Sequence, residues 1–307
     1  MNYRLAFLVV FSSFLFSCSK EFTRVQKKGT TEEKYLAAMK FFKKADYYKA
    51  GVLFEEITPL LKGDSTAEKT QFYNAYANYY QGNYQMSSYL FNSFYATYNN
   101  SEFAEEAYYM YANSMYKDTP PYNLDQTNTL TAIDALQTFI NSYPESKYAD
   151  KSNESLLDLR ERLERKAYEK AKLYYKTRDK SWGGLTNYLA SVVTIDNFKK
   201  DFPDSRYNEE LSNMQIIAQY ELADLSFFNK RRERFNETLN YYNKFVDKYP
   251  SSKYIKDLEK IYDKSLAGLE DVIKLEKRME EEKKQWEIEN RVIDSKKAPE
   301  DKAPKEG

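Results

Sequence analysis

Phe139-Ile-Asn-Ser-Tyr143-Pro144-Glu-Ser146-Lys-Tyr148 decides the reading of this chain, because it recurs. Phe94-x3-Tyr98-Asn-Asn-Ser101-x-Phe103, Phe198-x3-Phe202-Pro203-Asp-Ser205-x-Tyr207 and Phe245-x3-Tyr249-Pro250-Ser-Ser252-x-Tyr254 are further copies. Two aromatics four apart share one helix face. Proline drives the residue before it out of the α region and stops the helix. The serine can then cap the amides of a new helix. The aromatic after it, in the new helix's first turn, is expected to pack back on the pair just left. Each copy is the joint of a helix-turn-helix repeat. The first phenylalanines are spaced by 45 (139−94), 59 (198−139) and 47 (245−198) residues. All three exceed the ~34 residues of a tetratricopeptide unit, so longer helices are expected.

Composition agrees. With 8 Gly and 8 Pro in 307 residues, a strand-and-turn protein lacks its turn residues. The 47 basic and 47 acidic residues cancel, leaving no net field for nucleic acid, which is not expected as a partner. Thirty Tyr and 19 Phe suit the wide gaps between paired helices. With no His and one Cys, imidazole general bases, imidazole metal sites, Cys–His dyads and disulfides drop out together. Acids lie at helical-surface spacing with no pair isolated among apolar residues. Gly183-Gly184 lacks the phosphate-loop pattern. No catalytic activity, metal or cofactor is expected.

Residues 1–17 read as an export signal: Arg4 is the positive end and Leu5 to Phe16 the apolar run, 12 residues long and too short to span a bilayer. Leu15-Phe16-Ser17-Cys18 resembles a bacterial lipobox, in which the Cys is acylated, palmitate being a typical chain, and becomes the new amino terminus. The alternative is an ordinary secretory signal with an incidental cysteine. Acyl chains would anchor the protein without a spanning helix.

Residues 18–31 read as the acylated Cys and a flexible tether. Residues 32–145 form N-terminal repeats. The first is degenerate, with stripes at Leu36, Met39, Phe42, Ala45 and at Tyr48, Val52, Leu53, Ile57. Gly82 is placed for a left-handed helix end in the second. In the third, Asp118 to Asp125 is longer than a turn needs, either a contact loop or a tolerated insertion. Residues 146–277 hold the C-terminal repeats and a capping helix, beginning with a long helix from Ser146 to about Arg178. Residues 278–307 read as a charged helical extension and a disordered tail. The fold class is therefore all-α, a tetratricopeptide-repeat solenoid of about five repeats with a C-terminal helical extension.

Leu159-Arg160-Glu-Arg162-Leu163, Tyr168, Tyr174-Tyr175-x2-Arg178, Trp182 and Asp201-Phe202-Pro203-Asp204-Ser205 resemble the BamD family, lipoproteins of the outer-membrane β-barrel assembly machinery. The likeness spans roughly residues 18 to 260, with Gly183-Gly184 replacing the small-residue start usual there. It implies a lipid-anchored outer-membrane scaffold facing the periplasm. Its partners would be a BamA-type barrel insertase through its periplasmic domains, unfolded β-barrel precursors, other assembly lipoproteins, and membrane lipid through acylated Cys18. The insertase contact would fall near Lys199 and Lys200. Two rivals are a periplasmic cell-envelope scaffold tetratricopeptide protein and a surface glycan-binding lipoprotein.

Phe94, Tyr98, Phe139, Tyr143, Pro144, Phe198, Phe202, Pro203, Phe245, Tyr249 and Pro250 are assigned to structural joints. Repeats one and two carry more tyrosine than their joints need. Tyr47, Tyr48, Tyr76, Tyr79, Tyr80 and Tyr84 are therefore candidates for a precursor-binding groove, the alternative being composition bias. Lys199, Lys200, Lys230, Arg231, Arg232 and Arg234 are candidates for polar docking of a folded acidic partner.

Overall fold

The computed structural model describes residues 20–61, 63–178 and 184–297. Cys18, the signal of residues 1–17, Trp182, Gly183 and the tail from residue 298 lie outside the described residues. Among the described residues twelve α-helices follow in order: α1 (20–28), α2 (Thr31–Lys43), α3 (Tyr47–Ile57), α4 (Ala67–Tyr80), α5 (Tyr84–Thr97), α6 (Ala104–Lys117), α7 (Thr127–Ser142), α8 (Ala149–Thr177), α9 (Gly184–Asp201), α10 (Asn208–Asp224), α11 (Phe228–Lys248) and α12 (Ile255–Lys297). No strand occurs among the described residues, and consecutive helices pack as the hairpins of a tetratricopeptide array. Two compact units divide at Leu163 and Glu164, within α8, rather than at the expected 145/146 boundary. The helix crosses that boundary without a break because it lacks any internal glycine or proline.

The four joints share one geometry. The aromatic pairs Phe94–Tyr98, Phe139–Tyr143, Phe198–Phe202 and Phe245–Tyr249 have ring centroids 5.1, 5.6, 5.2 and 5.2 Å apart. Every first phenylalanine is fully or almost fully buried and every partner is half-buried. Ser101, Ser146, Ser205 and Ser252 each accept the amide two residues on, at 2.9, 3.1, 3.0 and 3.2 Å, satisfying a donor at the new helix start. Tyr98, Tyr143 and Tyr249 leave the helix at φ/ψ of −122/50, −134/64 and −129/60°. Tyr98 precedes Asn99 rather than proline, so proline is not what sets this exit. The aromatic after the serine joins the same apolar cluster as the pair just left, as expected, and its ring contact reaches one helix further back. Phe103 meets Phe72, Tyr148 meets Tyr109 and Tyr207 meets Tyr168, with centroids 4.7, 4.3 and 4.0 Å apart. Each therefore ties the new helix to the first helix of the repeat before it.

In the first unit, residues 20–28 correct the tether expectation. They form α1, which buries Val25 and sets Phe22 against Phe41 of α2 at 5.9 Å. The stripe of α2 is displaced by about one residue: Leu36 is 60% exposed, while Ala37, Ala38 and Phe41 are buried. Gly82 takes φ +78°, and Asn83 donates to the Asn78 carbonyl across it, the left-handed helix end expected.

In the second unit, Leu258 and Val272 of α12 are buried, whereas Met279, Trp286 and Ile288 are exposed. Gly268 admits the Phe235 ring of α11 against the α12 backbone. A Cβ there would lie 2.6 Å from Phe235 Cζ. Gly to Ala inside a helix ordinarily stabilises by about 0.5–1 kcal/mol. Here the sign reverses, and Gly268→Ala is expected to destabilise by about 1–3 kcal/mol, read as a lower denaturant midpoint at unchanged slope.

Candidate functional site

The tyrosine excess of the first unit is concentrated around α4. Phe72, Tyr73, Tyr76, Tyr79 and Tyr80 are spaced so that rings project from neighbouring turns. Tyr80, the last residue of α4, stacks on Tyr47 of α3 at 4.6 Å and 23°, and on Tyr76 one turn back at 5.8 Å and 22°. The left-handed turn at Gly82 brings Tyr84 round beneath Tyr79, 5.5 Å away. Phe42 of α2 closes the base of the stack against Tyr47 and Tyr73 at 5.4 and 5.1 Å. Gln81 Nε2 donates to the Tyr47 carbonyl at 3.2 Å, joining α4 to α3, and lies against Gly51, where a Cβ would be 3.2 Å from it.

Five of the six candidate tyrosines are thus linked by ring contacts: Tyr47, Tyr76, Tyr79, Tyr80 and Tyr84. Tyr48 is 66% exposed and joins no ring pair among the described residues, since its neighbour in sequence is about 100° away round the helix. The five divide by role. The Tyr76 hydroxyl donates to Glu106, which also accepts from Tyr148 at 2.8 Å, and Asn113 donates to the Tyr79 hydroxyl at 2.9 Å. Burial, reinforced by the Glu106 carboxylate, pushes the Tyr76 phenol well above the ordinary tyrosine range. Tyr76 and Tyr79 are therefore framework. Tyr80 is half exposed, and its hydroxyl and that of Tyr47 make no hydrogen bond among the described residues.

At its far end the ladder meets a cleft of about 280 Å³ lined by Tyr84, Gln85, Ser88, Met115, Asp118, Asn128 and Thr131. Its walls mix amides and hydroxyls with one thioether. Of these the sequence reading picks out only Tyr84 for a binding groove; the others are missed because isolated polar positions at helix surfaces carry no periodic signal. The only hint was the long segment beginning at Asp118. That loop is internally braced, with Gln126 Nε2 donating to the Pro121 and Leu124 carbonyls at 2.9 and 3.0 Å.

In the second unit the two candidate insertase lysines part company. Lys199 Nζ donates to Gln215 Oε1 at 3.1 Å, in a network where Gln215 and Tyr241 donate to Asp196 at 2.6 and 2.8 Å. Burial holds the Lys199 ammonium below its ordinary value. Lys200 is exposed, and none of the ion pairs or hydrogen bonds among the described residues engages it. It continues an exposed row on α9 with Leu189, Val193 and Asn197.

The basic residues 230–234 are already engaged. Lys230 pairs with Glu233, Arg231 with Asp224 and Arg232 with Glu276, at 3.0, 2.9 and 3.0 Å, and Arg234 donates to Ser226. They sit in the first turns of α11, where the helix dipole disfavours positive charge unless acids compensate. Arg178 also has a structural post. It forks onto Glu221 of α10 at 2.5 and 3.1 Å, donates to the Tyr175 carbonyl at 2.7 Å and lies 3.9 Å over the Tyr175 ring.

No group of three or more His, Cys, Asp or Glu suited to a metal occurs among the described residues, and no helix there is long and apolar enough to cross a membrane. The family described as YfiO, outer membrane lipoprotein, matches residues 27–182. No curated protein matches the chain. A solved structure described as "Computational Design of Self-Assembling Cyclic Protein Homooligomers" is 12% identical over 89% of this chain and 96% of its own, with a TM-score of 0.18.

Proposed function

Because the chain belongs to the YfiO family of outer membrane lipoproteins, we propose that it is a scaffold of outer-membrane β-barrel assembly, anchored through acylated Cys18 and facing the periplasm. In this reading unfolded barrel precursors bind the first unit and the barrel insertase binds the second. The observation that carries it is the half-exposed Tyr47–Tyr80 stack leading through Tyr84 into a polar-walled cleft. An extended peptide ending in an aromatic needs both parts. Its ring stacks on Tyr80, and its backbone amides and carbonyls meet Gln85, Ser88, Asn128 and Thr131. Tyrosine loses little rotamer freedom on engagement, which favours it at such a surface. Insertase docking is assigned to the α9 row of Leu189, Val193, Asn197 and Lys200. The paired charges of α11 are expected to contribute little.

The test is titration of the full chain with a peptide from the C-terminal strand of an outer-membrane barrel. Tyr80→Ala is expected to weaken binding by roughly three- to tenfold, the loss of one aromatic contact worth about 0.5–1.5 kcal/mol. Tyr48→Ala should leave binding within about twofold on the same scale. Equal affinity for the parent and Tyr80→Ala would remove the ladder from the binding site.

A further inference from the structure

α1 is the part of the chain that the scaffold reading leaves unexplained. It begins two residues after Cys18 and is too short to be needed as a repeat helix. Its sequence is Lys20-Glu21-Phe22-Thr23-Arg24-Val25-Gln26-Lys27-Lys28, with four basic residues and one acid. Those four fall at i, i+4, i+7 and i+8, which on a helix is one stripe about 100° wide. Phe22 and Val25 lie on the other side and pack on α2.

The remaining polar groups of α1 fix it in place. Glu21 pairs with Lys40 at 2.6 Å, and Gln26 donates to Glu56 at 2.9 Å. The turn into α2 is locked by a reciprocal cap between Thr30 and Glu33, at 3.2 and 2.8 Å. α1 is therefore held on α2 with its basic stripe outward. Lys20, Arg24, Lys27 and Lys28 are all exposed, and no carboxylate lies within ion-pair distance of any of them among the described residues. Arg24, Lys28 and Lys40, together with Glu21 and Glu33, also edge a cleft of about 440 Å³ floored by Val25, Leu36 and Ala37, where Leu36 is 60% exposed.

We propose that the outward stripe of α1 is a membrane-surface site that binds the phosphates of anionic phospholipid headgroups, holding the first unit against the leaflet. The occupant follows from charge and position. Four cations on one rigid face, none in ion-pair contact among the described residues, suit a sheet of anions better than a single small ligand. A helix starting two residues beyond an acylated cysteine also lies within reach of the headgroup layer. Leu36 and the cleft beside Arg24 and Lys28 give the apolar and glycerol parts of a lipid somewhere to enter. One weak signal, electrostatic attraction, would thereby be added to acylation.

The inference rests on the membrane-anchoring reading, so its test removes the anchor. Residues 19–307 keep every described residue and carry no acyl group. Their co-sedimentation with vesicles of phosphatidylcholine containing about 30% phosphatidylglycerol is compared with pure phosphatidylcholine vesicles. Binding is expected to be at least about tenfold stronger to the anionic vesicles and to be lost in about 0.5 M salt. Replacing Lys20, Arg24, Lys27 and Lys28 together by Gln is expected to abolish that preference while leaving the thermal melt unchanged, because all four side chains are solvated. Equal binding to the two vesicle types overturns the proposal, as does anionic binding undiminished in the fourfold variant. If the fourfold variant keeps vesicle binding but loses a protein that co-purifies with the parent, the stripe serves an acidic protein instead, and the proposal fails. Absence of acylation at Cys18 in the intact chain would count against the anchor alone, because this experiment contains no acyl group.

Discussion

Phe198→Ala is expected to destabilise the protein by about 3–5 kcal/mol. Phe198 is 2% exposed and packs with Tyr168, Ala171, Ile195 and Leu211, drawn from α8, α9 and α10, while its ring lies 5.2 Å from Phe202. Truncation forfeits the transfer free energy of the ring and leaves a hole that three helices cannot close without moving their shared joint. A native domain is stable by only about 5–15 kcal/mol, so this one change would consume a large part of the margin. For a unit of this size the melting temperature should fall by roughly 10 °C. Phe139→Ala should behave alike, since Phe139 is fully buried among Tyr108, Tyr109 and Tyr143. The comparison residue is Phe202, half-buried at the same joint, whose truncation should cost less. An unchanged melt for Phe198→Ala would mean that the repeat register is wrong.

The second large effect concerns attachment. Cys18→Ala is expected to release the protein almost completely from outer membranes washed in high salt. No helix among the described residues can cross a bilayer, and acyl chains are the one strong anchor proposed. At low salt a residual fraction should stay bound through the basic face of α1, and that fraction should vanish as salt screens it. Fractionation of cells lacking the insertase isolates the acyl contribution. Undiminished sedimentation of the variant in about 0.5 M salt would contradict acyl anchoring, because screening at that strength leaves surface charge little effect.

Joints were legible in the sequence because each rests on short-range rules: a pair of aromatics four apart, a helix stop and a serine cap. What lay beyond the joint was less legible. Where the aromatic after the serine packs depends on the helix before it, as Tyr148 on Tyr109 shows. The stripe of α2 was displaced because a helix inside a repeat array meets neighbours on two sides, so Leu36 and Phe41 both satisfy an amphipathic pattern. α1 escaped notice because Phe22 and Val25 are only two apolar residues among many charges. The Tyr ladder was half legible: composition located the excess, and the left-handed turn at Gly82 brought Tyr79 and Tyr84 together. Which lysine of Lys199 and Lys200 faces solvent could not be read from adjacent positions on one helix, since burial of the first depends on Gln215 and Tyr241 from other helices.

Central to the account is a partner. The protein, tagged at its C-terminus and purified from detergent-solubilised envelope, is expected to bring down a large β-barrel protein bearing periplasmic repeats. Leu189→Glu with Val193→Glu on the exposed α9 row should abolish that capture without changing the melt. Recovery of peptidoglycan-linked division proteins or glycan-import components, with no barrel protein among them, would contradict the assembly-scaffold reading.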